Sequence, residues 1–374
     1  MTIGVDCHHI KDQKGIESYV LGLLGCFKKE ESVDFILYFQ KGDEKTESIP
    51  ASKNIITTEI KPLIKRSTAV FQHFLLPRQA KRDKVDALFS PSYLLPLFYK
   101  GKTALTIHDI IYEVHPEWFS KKGLKNRILT RWVGKKSAKK ADIIFTPSEF
   151  TKKEIVKYYK ITPSKIKVTS AATEIKKISN NKKVKEKFGI KDRFFFFGAA
   201  LFPRRCVMEM LIAFKRIARE YKDLQLLIVG KNFSGGNIIK IIEETNRELK
   251  RKAIVYISDF IGREEVLALF ESAHATIYLS LYEGFGLPVL ESMACGTPVI
   301  TGNAGSLTEI TRGKCFWVED PKNIDEIYEK MTLSIDNKEL YEKYTNEGTK
   351  RAKEFSWQKC ANQTIESIRK TINA

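Results

Sequence analysis

Short apolar segments of strand length alternate with helical segments, and this alternation occurs twice along the chain. The first series of apolar segments covers residues 2–7, 35–39, 86–90, 104–107 and 143–146. The second series covers residues 194–197, 226–229, 254–257, 275–279 and 298–300. Buried strands that alternate with helices build parallel sheets with helices on both faces. The sequence therefore predicts an α/β fold with two doubly wound parallel sheets.

The length of the chain fits two domains, because 374 residues exceed what one hydrophobic core usually serves. We expect the first domain at residues 1–175, the second at 176–355 and a terminal helix at 356–374. The polar, lysine-rich segment 171–191 is the predicted linker and the start of the second domain. A capping-box pattern, Thr151 with Glu154 three residues later, predicts that a helix begins near residue 151.

The composition is typical of a soluble globular protein, with 43% hydrophobic and 29% charged residues. No apolar run reaches the roughly 18–20 residues that a membrane-spanning helix requires. The start of the chain lacks the pattern of a signal peptide. The six cysteines form no Cys-x-x-Cys pair, so we expect free thiols rather than disulfides or a zinc site. The predicted location is the cytoplasm.

Positive charge is concentrated in the first half, since +14 of the net +19 falls on residues 1–180. The segment from Lys121 to Lys140 holds nine basic residues and no acidic one. Leu124, Ile128 and Trp132 recur in it at helical spacing, which predicts a basic amphipathic helix. Such a helix can lie on an anionic lipid surface, or it can pack its apolar stripe on its own sheet and leave its charges to solvent. The sequence leaves both interpretations open.

The most specific motif is segment 280–291, which reads Ser-Leu-Tyr-Glu-Gly-Phe-Gly-Leu-Pro-Val-Leu-Glu. It follows a predicted strand and leads into a predicted helix. Pro288 suits the first helical turn, because it lacks an N–H that would have no acceptor there. The N–H groups around Gly286, Leu287 and Val289 then favour an anion, notably a diphosphate. A carboxylate flanks this predicted anion site on each side.

The two carboxylates, Glu283 and Glu291, carry a resemblance to a known family. The segment resembles the Glu-x7-Glu signature of the family-4 retaining glycosyltransferases, written there as Glu-Gly-Phe-Gly-Leu-Pro-x-Leu-Glu. The resemblance implies that Glu283 is catalytic and lies near the donor sugar, and that Glu291 holds the ribose hydroxyls of the donor. It also implies donor contacts from the turn residues Gly284, Phe285, Gly286 and Leu287.

A second segment, residues 197–206, resembles the family's strand–Gly–Pro-Arg-Lys-Asn loop, whose basic residues neutralise the donor diphosphate. It reads Phe-Gly-Ala-Ala-Leu-Phe-Pro-Arg-Arg-Cys, which implies donor binding for Arg204 and a catalytic role for Arg205. Arg205 stands in the place of the usual Lys, so a cation remains but as a planar fork. Cys206 replaces the usual Asn or Gly, and Ala199 stands where many members carry a further Arg.

Three other positions resemble those of the family. His108 follows a strand of the first half in Thr-Ile-His-Asp, where the family has a His beside the transferred sugar. Gly15 resembles the glycine of the loop after the first strand, which approaches the diphosphate and the acceptor; Lys14 replaces a second Gly common there. Ile261 lies where relatives hold the base through backbone groups. Residues 167–173 lack the family's Pro-Asn-Gly.

The resemblance implies a GT-B fold, in which two Rossmann-like domains face a central cleft and a C-terminal helix returns to the first domain. The first domain would bind the acceptor and the second the nucleotide sugar. It further implies retention of configuration without a metal or cofactor, because the leaving phosphate oxygen takes the acceptor proton. The chain contains no Asp-x-Asp metal clamp, and Arg204, Arg205 and the helix start can supply the positive field instead.

Relatives with this loop often use GDP-mannose, so mannose is the predicted sugar. The expected acceptor is a saccharide or a lipid-linked saccharide in the synthesis of cell-surface polysaccharide or glycolipid. If the basic helix binds lipid, the protein is peripheral on the inner face of the membrane.

Two alternatives stay open. One is a catalytically impaired scaffold that binds nucleic acid or an anionic surface, which the retained Glu283, Glu291, His108 and Arg205 disfavour. The other is a different GT-B enzyme, such as a nucleotide-sugar epimerase or a phosphorylase.

Overall fold

The computed structural model describes residues 1–8, 14–41, 49, 52–61, 67–119, 124–173, 181–259 and 261–374, without the side chains of residues 14 and 124–128. The described chain forms two compact units, of which the first comprises Met1–Ala172 and Ser356–Ala374 and the second Thr173–Phe355. Each unit contains one parallel sheet and its helices. The predicted α/β class with two Rossmann-like parallel sheets is confirmed.

The sheet of the first unit has seven strands in the order β3-β2-β1-β4-β5-β6-β7, and all its pairings are parallel. The order reverses between β1 and β4. The strands are β1 (Thr2–Asp6), β2 (Asp34–Gln40), β3 (Ile55–Ile60), β4 (Ala87–Ser90), β5 (Lys102–Thr106), β6 (Ile143–Thr146) and β7 (Ile166–Val168). Its helices up to residue 159 are α1 (Lys14–Phe27), α2 (Thr68–Val70), α3 (Leu76–Arg82), α4 (Ile111–Val114), α5 (Leu124–Lys140) and α6 (Glu149–Tyr159).

The sheet of the second unit has six parallel strands in the order β10-β9-β8-β11-β12-β13, and its order reverses between β8 and β11. The strands are β8 (Phe194–Gly198), β9 (Gln225–Val229), β10 (Ile254–Ile257), β11 (Ala275–Tyr278), β12 (Val299–Gly302) and β13 (Phe316–Val318). Its helices are α7 (Asn181–Phe188), α8 (Val207–Glu220), α9 (Asn237–Glu248), α10 (Arg263–Ser272), α11 (Leu287–Ala294), α12 (Leu307–Thr311), α13 (Ile324–Asp336) and α14 (Lys338–Ala352).

The central strand β8 shows why an unbroken apolar run forms a strand here. Its four phenylalanines point alternately to the two faces of the sheet. Phe195 and Phe197 pack in the core cluster on one face, and Phe194 and Phe196 pack in the cluster on the other. Because helices cover both faces, every side chain of the run is buried.

One local prediction is wrong. The helix α6 begins at Glu149, and its N-cap is Ser148, whose hydroxyl accepts the N–H of Thr151 at 3.1 Å. Thr151 is therefore not the cap, because the earlier serine already satisfies the first turn. The segment 171–191, predicted as the linker and the start of the second domain, does contain the boundary between the units, which falls after Ala172. It also contains the helix α7 of the second unit, which packs on α10. Residues 174–180 of that segment lie outside the described residues.

The final helix, α15 (Trp357–Asn373), belongs to the first unit and packs against α1. Trp357 is buried and its ring lies edge-on to that of Tyr19, with centroids 5.8 Å apart. The indole also covers Gly22, where an added Cβ would come within 2.7 Å of Trp357 Cζ2. A glycine at this position of α1 therefore lets the two helices approach closely.

Among the helices within the described ranges, none is both long and apolar enough to span a bilayer. The six cysteines are free thiols, as predicted, and all but Cys295 are buried.

We predict that Gly22→Ala lowers the free energy of unfolding by about 1–3 kcal/mol, because the new methyl group has to displace the Trp357 ring from a filled core. Gly25→Ala is the matched control. Gly25 lies in the same helix, and a Cβ there meets no atom within 4 Å. This change should raise stability by up to about 1 kcal/mol through helix propensity. Thermal and urea unfolding measure both effects. Equal stability of the two variants would contradict the close contact.

Candidate active site

The principal polar cluster of the second unit lies where its strand order reverses. β8 and β11 are neighbours in the sheet, and their carboxyl ends lie at the same edge. The loop after β8 carries Arg204 and Arg205, and the loop after β11 carries Glu283. In open parallel sheets ligands bind at such a reversal point, outside the carboxyl ends of the strands. The structure thus brings three of the predicted site residues to one place.

The carboxylate of Glu283 is the centre of this cluster. Its Oε1 accepts a hydrogen bond from Arg205 Nε at 3.3 Å and one from the Ser280 hydroxyl at 3.1 Å. Arg204 Nε lies 3.9 Å from the same oxygen, and it makes no hydrogen bond to another described residue. The Glu283 side chain is 10% exposed. One buried carboxylate therefore faces two guanidinium groups.

The guanidinium of Arg205 is fixed by contacts on several sides. Its Nη1 donates to the carbonyl of Ala200 at 2.7 Å, and its Cζ lies 5.2 Å from the ring centre of Tyr278. Burial opposes the charge, but the Tyr278 hydroxyl and Glu283 outweigh burial and raise the pKa of Arg205. Burial in turn raises the pKa of the Tyr278 hydroxyl. Arg205 is therefore a permanent cation with a fixed orientation.

Ser306 holds the turn that follows Glu283. Its hydroxyl lies 2.9 Å from the carbonyl oxygen of Glu283 and 2.7 Å from that of Phe285, and its N–H donates to Glu283 O at 3.2 Å. Gly286 closes the turn with φ +102°, a backbone conformation that favours glycine, and a Cβ there would overlap Leu307. The turn at 283–286 is therefore rigid at both ends.

The start of α11 differs from the prediction at one residue. The N–H groups of Val289 and Leu290 both donate to the carbonyl of Gly286, at 3.1 and 3.3 Å. The Val289 N–H is therefore used inside the helix, because the first turn is tight, and cannot serve an anion. Pro288 has no N–H. The N–H groups of Gly286, the N-cap, and of Leu287, the first residue of the helix, have no acceptor within the helix and remain as donors of the predicted anion site.

The second carboxylate, Glu291, lies inside α11 and is 6% exposed. It forms an ion pair with Arg263, the first residue of α10. Burial raises the pKa of Glu291, and the neighbouring Arg263 guanidinium partly offsets that effect. The other guanidinium nitrogen of Arg263 lies 3.4 Å from the Thr173 hydroxyl.

His108 is the predicted catalytic residue of the first unit. It follows β5, and its Nε2 lies 2.9 Å from the carbonyl oxygen of Pro91. A carbonyl only accepts hydrogen bonds, so Nε2 carries the proton and Nδ1 has a free lone pair. Burial lowers the pKa of His108 to about 4, and the Pro91 contact only partly opposes this. The imidazole is therefore neutral at physiological pH.

The remaining predicted site residues differ in what their side chains can do. Gly15 lies in the first turn of α1 rather than in a loop, and a Cβ there would meet no atom within 4 Å. Ile261 is buried in a core cluster, so only its backbone could contact a ligand. Gly284 and Phe285 are buried, and the Phe285 ring lies edge-on to Phe355. The side chain of Lys14 lies outside the described residues.

No role was predicted from the sequence for four residues that build this site: Ser280, Tyr278, Ser306 and Arg263. Ser280 and Tyr278 belong to the strand and loop before Glu283, where position alone could have indicated them. Ser306 follows the next strand, β12, and its role depends on carbonyl groups that no sequence pattern reveals. Arg263 lies two residues after Ile261, and its pairing with Glu291 joins two helices that no sequence pattern connects. Among the described residues, no three His, Cys, Asp or Glu side chains come together as metal ligands.

We predict that the His108 ring stays neutral down to about pH 5. The unfolded chain takes up the proton near pH 6.5 and the folded chain only near 4, so stability should fall as the pH is lowered through this interval. Histidine ring NMR, with the His108 signal assigned by its loss in His108→Gln, measures the titration. Protonation of His108 near pH 6.5 would contradict the buried, Pro91-bound geometry.

Two family sequence models match this chain, one in each unit. Residues 14–173 match the sequence model of "Glycosyltransferase Family 4", and residues 179–351 match that of "Glycosyl transferases group 1". The chain is 29% identical to the O-antigen chain mannosyltransferase B of Escherichia coli over 78% of this chain and 76% of that protein. It is 28% identical to the MMP alpha-(1->4)-mannosyltransferase of Mycolicibacterium hassiacum over 71% of this chain and 64% of that one.

The fold has counterparts among solved structures. The Anabaena protein HepE in complex with UDP and glucose superposes with a TM-score of 0.74, at 15% identity, over 99% of this chain and 100% of that chain. The two family matches together extend through both parallel-sheet units and include the Glu283–Arg205 cluster. The chain therefore belongs to the family-4, group-1 glycosyltransferases and has the GT-B fold.

Proposed function

We propose that this glycosyltransferase moves mannose from GDP-mannose to a saccharide or lipid-linked saccharide acceptor, with retention of configuration and without a metal ion. The observation that carries the proposal is the buried Glu283 carboxylate between two arginines, beside the start of α11. The process it serves would be the synthesis of a cell-surface polysaccharide or glycolipid.

The choice of mannose draws on the relatives. The Escherichia coli and Mycolicibacterium hassiacum proteins are mannosyltransferases by name. The Anabaena structure instead holds UDP and glucose. GDP-mannose is therefore the first donor to test and UDP-glucose the second.

The donor would lie on the second unit with its diphosphate near Arg204, Arg205 and the Leu287 N–H. Two guanidinium groups and a helix start stabilise the negative charge that develops on the leaving diphosphate. This positive field is the reason to propose transfer without a metal. Glu291 would hold the ribose hydroxyls, and the backbone at Ile261 would contact the base.

The bond changes follow from retention. The bond between the sugar C1 and the diphosphate oxygen breaks while the acceptor oxygen bonds to C1 on the same face. The acceptor proton passes to the leaving phosphate oxygen, and the nucleoside diphosphate departs. Glu283 would stabilise the positive charge that develops on the sugar, and the neutral His108 would hydrogen-bond to the sugar rather than act as a cation.

We predict that Glu283→Gln and Arg205→Ala each lower kcat by about 100- to 1,000-fold, the usual cost of losing one preorganised electrostatic contact. Glu248→Gln is the matched control, because Glu248 forms ion pairs with Lys215 and Arg219 away from the site. The assay follows nucleoside diphosphate release from GDP-mannose and UDP-glucose, with and without EDTA.

Near-wild-type turnover by a folded Glu283→Gln protein would remove Glu283 from the site. Loss of activity in EDTA with recovery on added Mg²⁺ or Mn²⁺ would overturn the metal-free proposal. The absence of turnover with any nucleotide sugar would favour the impaired scaffold, and products formed from donor alone would favour an epimerase.

A second proposal concerns the surface of the basic helix α5, which we propose contacts anionic lipid. Two of its apolar side chains face solvent, since Leu129 is 59% and Trp132 54% exposed, whereas Ala138 is packed in the core of the unit. The predicted contributions of Leu124 and Ile128, and of residues 121–123, lie outside the described residues. Not all of its lysines are available, because Lys135 and Lys140 donate to the carbonyls of Tyr158 and Tyr99.

The exposed lysines of α5 allow a matched test of lipid binding. We predict that Lys136→Gln with Lys139→Gln weakens binding to vesicles containing phosphatidylglycerol by about 30-fold, at about 1 kcal/mol per lysine. Lys182→Gln with Lys183→Gln removes the same charge from α7 and should have little effect. Both pairs are exposed. Equal binding of wild type and the α5 variant would contradict a membrane role for this helix.

A further inference from the structure

The carboxylate expected to hold the donor ribose is already engaged. Glu291 is buried inside α11, and one of its oxygens, Oε1, pairs with Arg263 Nη1. The Arg263 side chain is 47% exposed, so the pair has one buried partner and one that reaches solvent. Arg263 is therefore the solvent-exposed partner of a buried carboxylate.

The position of Arg263 is fixed by its helix. It is the first residue of α10, and the preceding Gly262 donates its N–H to the Glu265 carboxylate at 3.0 Å. Glu265 is in turn paired with Lys187 of α7 at 2.5 Å. A second anchor is the hydroxyl of Thr173, 3.4 Å from Arg263 Nη2. The guanidinium is therefore held from two sides, by Oε1 of Glu291 and by the Thr173 hydroxyl.

The charge on Glu291 matters for the proposed role. A carboxylate accepts hydrogen bonds from hydroxyl groups with both oxygens, whereas a carboxylic acid must place its own proton. Burial works against the ionised form and raises the pKa of Glu291. Arg263 is the cation that opposes this effect.

Two further titratable groups lie near the pair and do not supply a positive charge. Cys295 follows Glu291 by one turn of α11, and burial, with Glu291 and Glu271 adding to it, raises the pKa of its thiol to about 12. The thiol is thus neutral between pH 5.5 and 8.5. Glu271 of α10 is itself acidic. We therefore expect the pH dependence of nucleotide binding to come from Glu291 and to be controlled by Arg263.

We propose that Arg263 is a positioning residue for the donor, which keeps Glu291 ionised and directed at the ribose hydroxyls, so that nucleotide binding persists at mildly acidic pH. The proposal rests on the proposed role of Glu291 in donor binding. Arg263 is thereby added to the site from α10, whereas Glu291 lies on α11 and Glu283 in the loop after β11. Its proposed function depends on pH.

Titration calorimetry with GDP, and with UDP as a second probe, tests this between pH 5.5 and 8.5. The wild type should change its Kd by less than about threefold across the range. Arg263→Ala should lose affinity progressively as the pH falls, by up to about tenfold per pH unit where Glu291 is mostly protonated. Arg263→Lys should keep most of the wild-type profile, because it keeps the charge. Arg216→Ala, which removes an arginine paired with Asp325 elsewhere in the unit, is the matched control.

A constant loss of affinity in Arg263→Ala at every pH would overturn the proposal, because a merely structural role acts equally across the range. Glu291→Gln separates this result from failure of its premise. If Gln at this position weakens GDP binding while Arg263→Ala leaves the profile unchanged, only the role of Arg263 is wrong. If Glu291→Gln binds GDP and UDP like the wild type, Glu291 does not hold the ribose, and both the donor assignment and the role of Arg263 are contradicted.

Discussion

The ion pair between Glu283 and Arg205 is the interaction around which the second unit arranges its polar groups. It joins the loops that follow two neighbouring strands, β8 and β11, at the point where the strand order reverses. Taking two charges out of water costs several kcal/mol for each, which their attraction repays only with good geometry and further hydrogen bonds. The structure provides these bonds through Ser280 and the carbonyl of Ala200.

The same requirement explains why the surrounding loops are rigid. Ser306 satisfies the carbonyl groups of Glu283 and Phe285, and Gly286 adopts a conformation that favours glycine. Cys206 departs from the family pattern. It adopts φ +47°, a left-handed backbone conformation that favours the usual Asn or Gly over Cys. Its burial in the core of the unit gives a reason for an apolar side chain at this strained position. A charged site held this firmly can act on a developing charge without first reorganising.

The central strands of the two sheets were easier to predict from the sequence than the edge strands. The runs of β8, β9 and β11 are buried and mostly apolar, and they were predicted with nearly correct ends. The strands that were missed, β3, β7 and β13, all lie at sheet edges. Polar residues interrupt β3 and β7, and β13 has only three residues, of which Trp317 is half-buried. Likewise the motif residues were predicted from the chain, whereas Arg263 and Ser306 act across 28 and 23 positions of sequence and depend on tertiary structure.

We propose that the donor diphosphate binds beside the Glu283–Arg205 pair. A crystal structure of the protein with GDP bound tests this position most directly. We expect phosphate oxygens within hydrogen-bond distance of Arg205 and the Leu287 N–H, with the ribose hydroxyls on Glu291. A nucleotide bound elsewhere, or a diphosphate with no contact to Arg204, Arg205 or the start of α11, would contradict it.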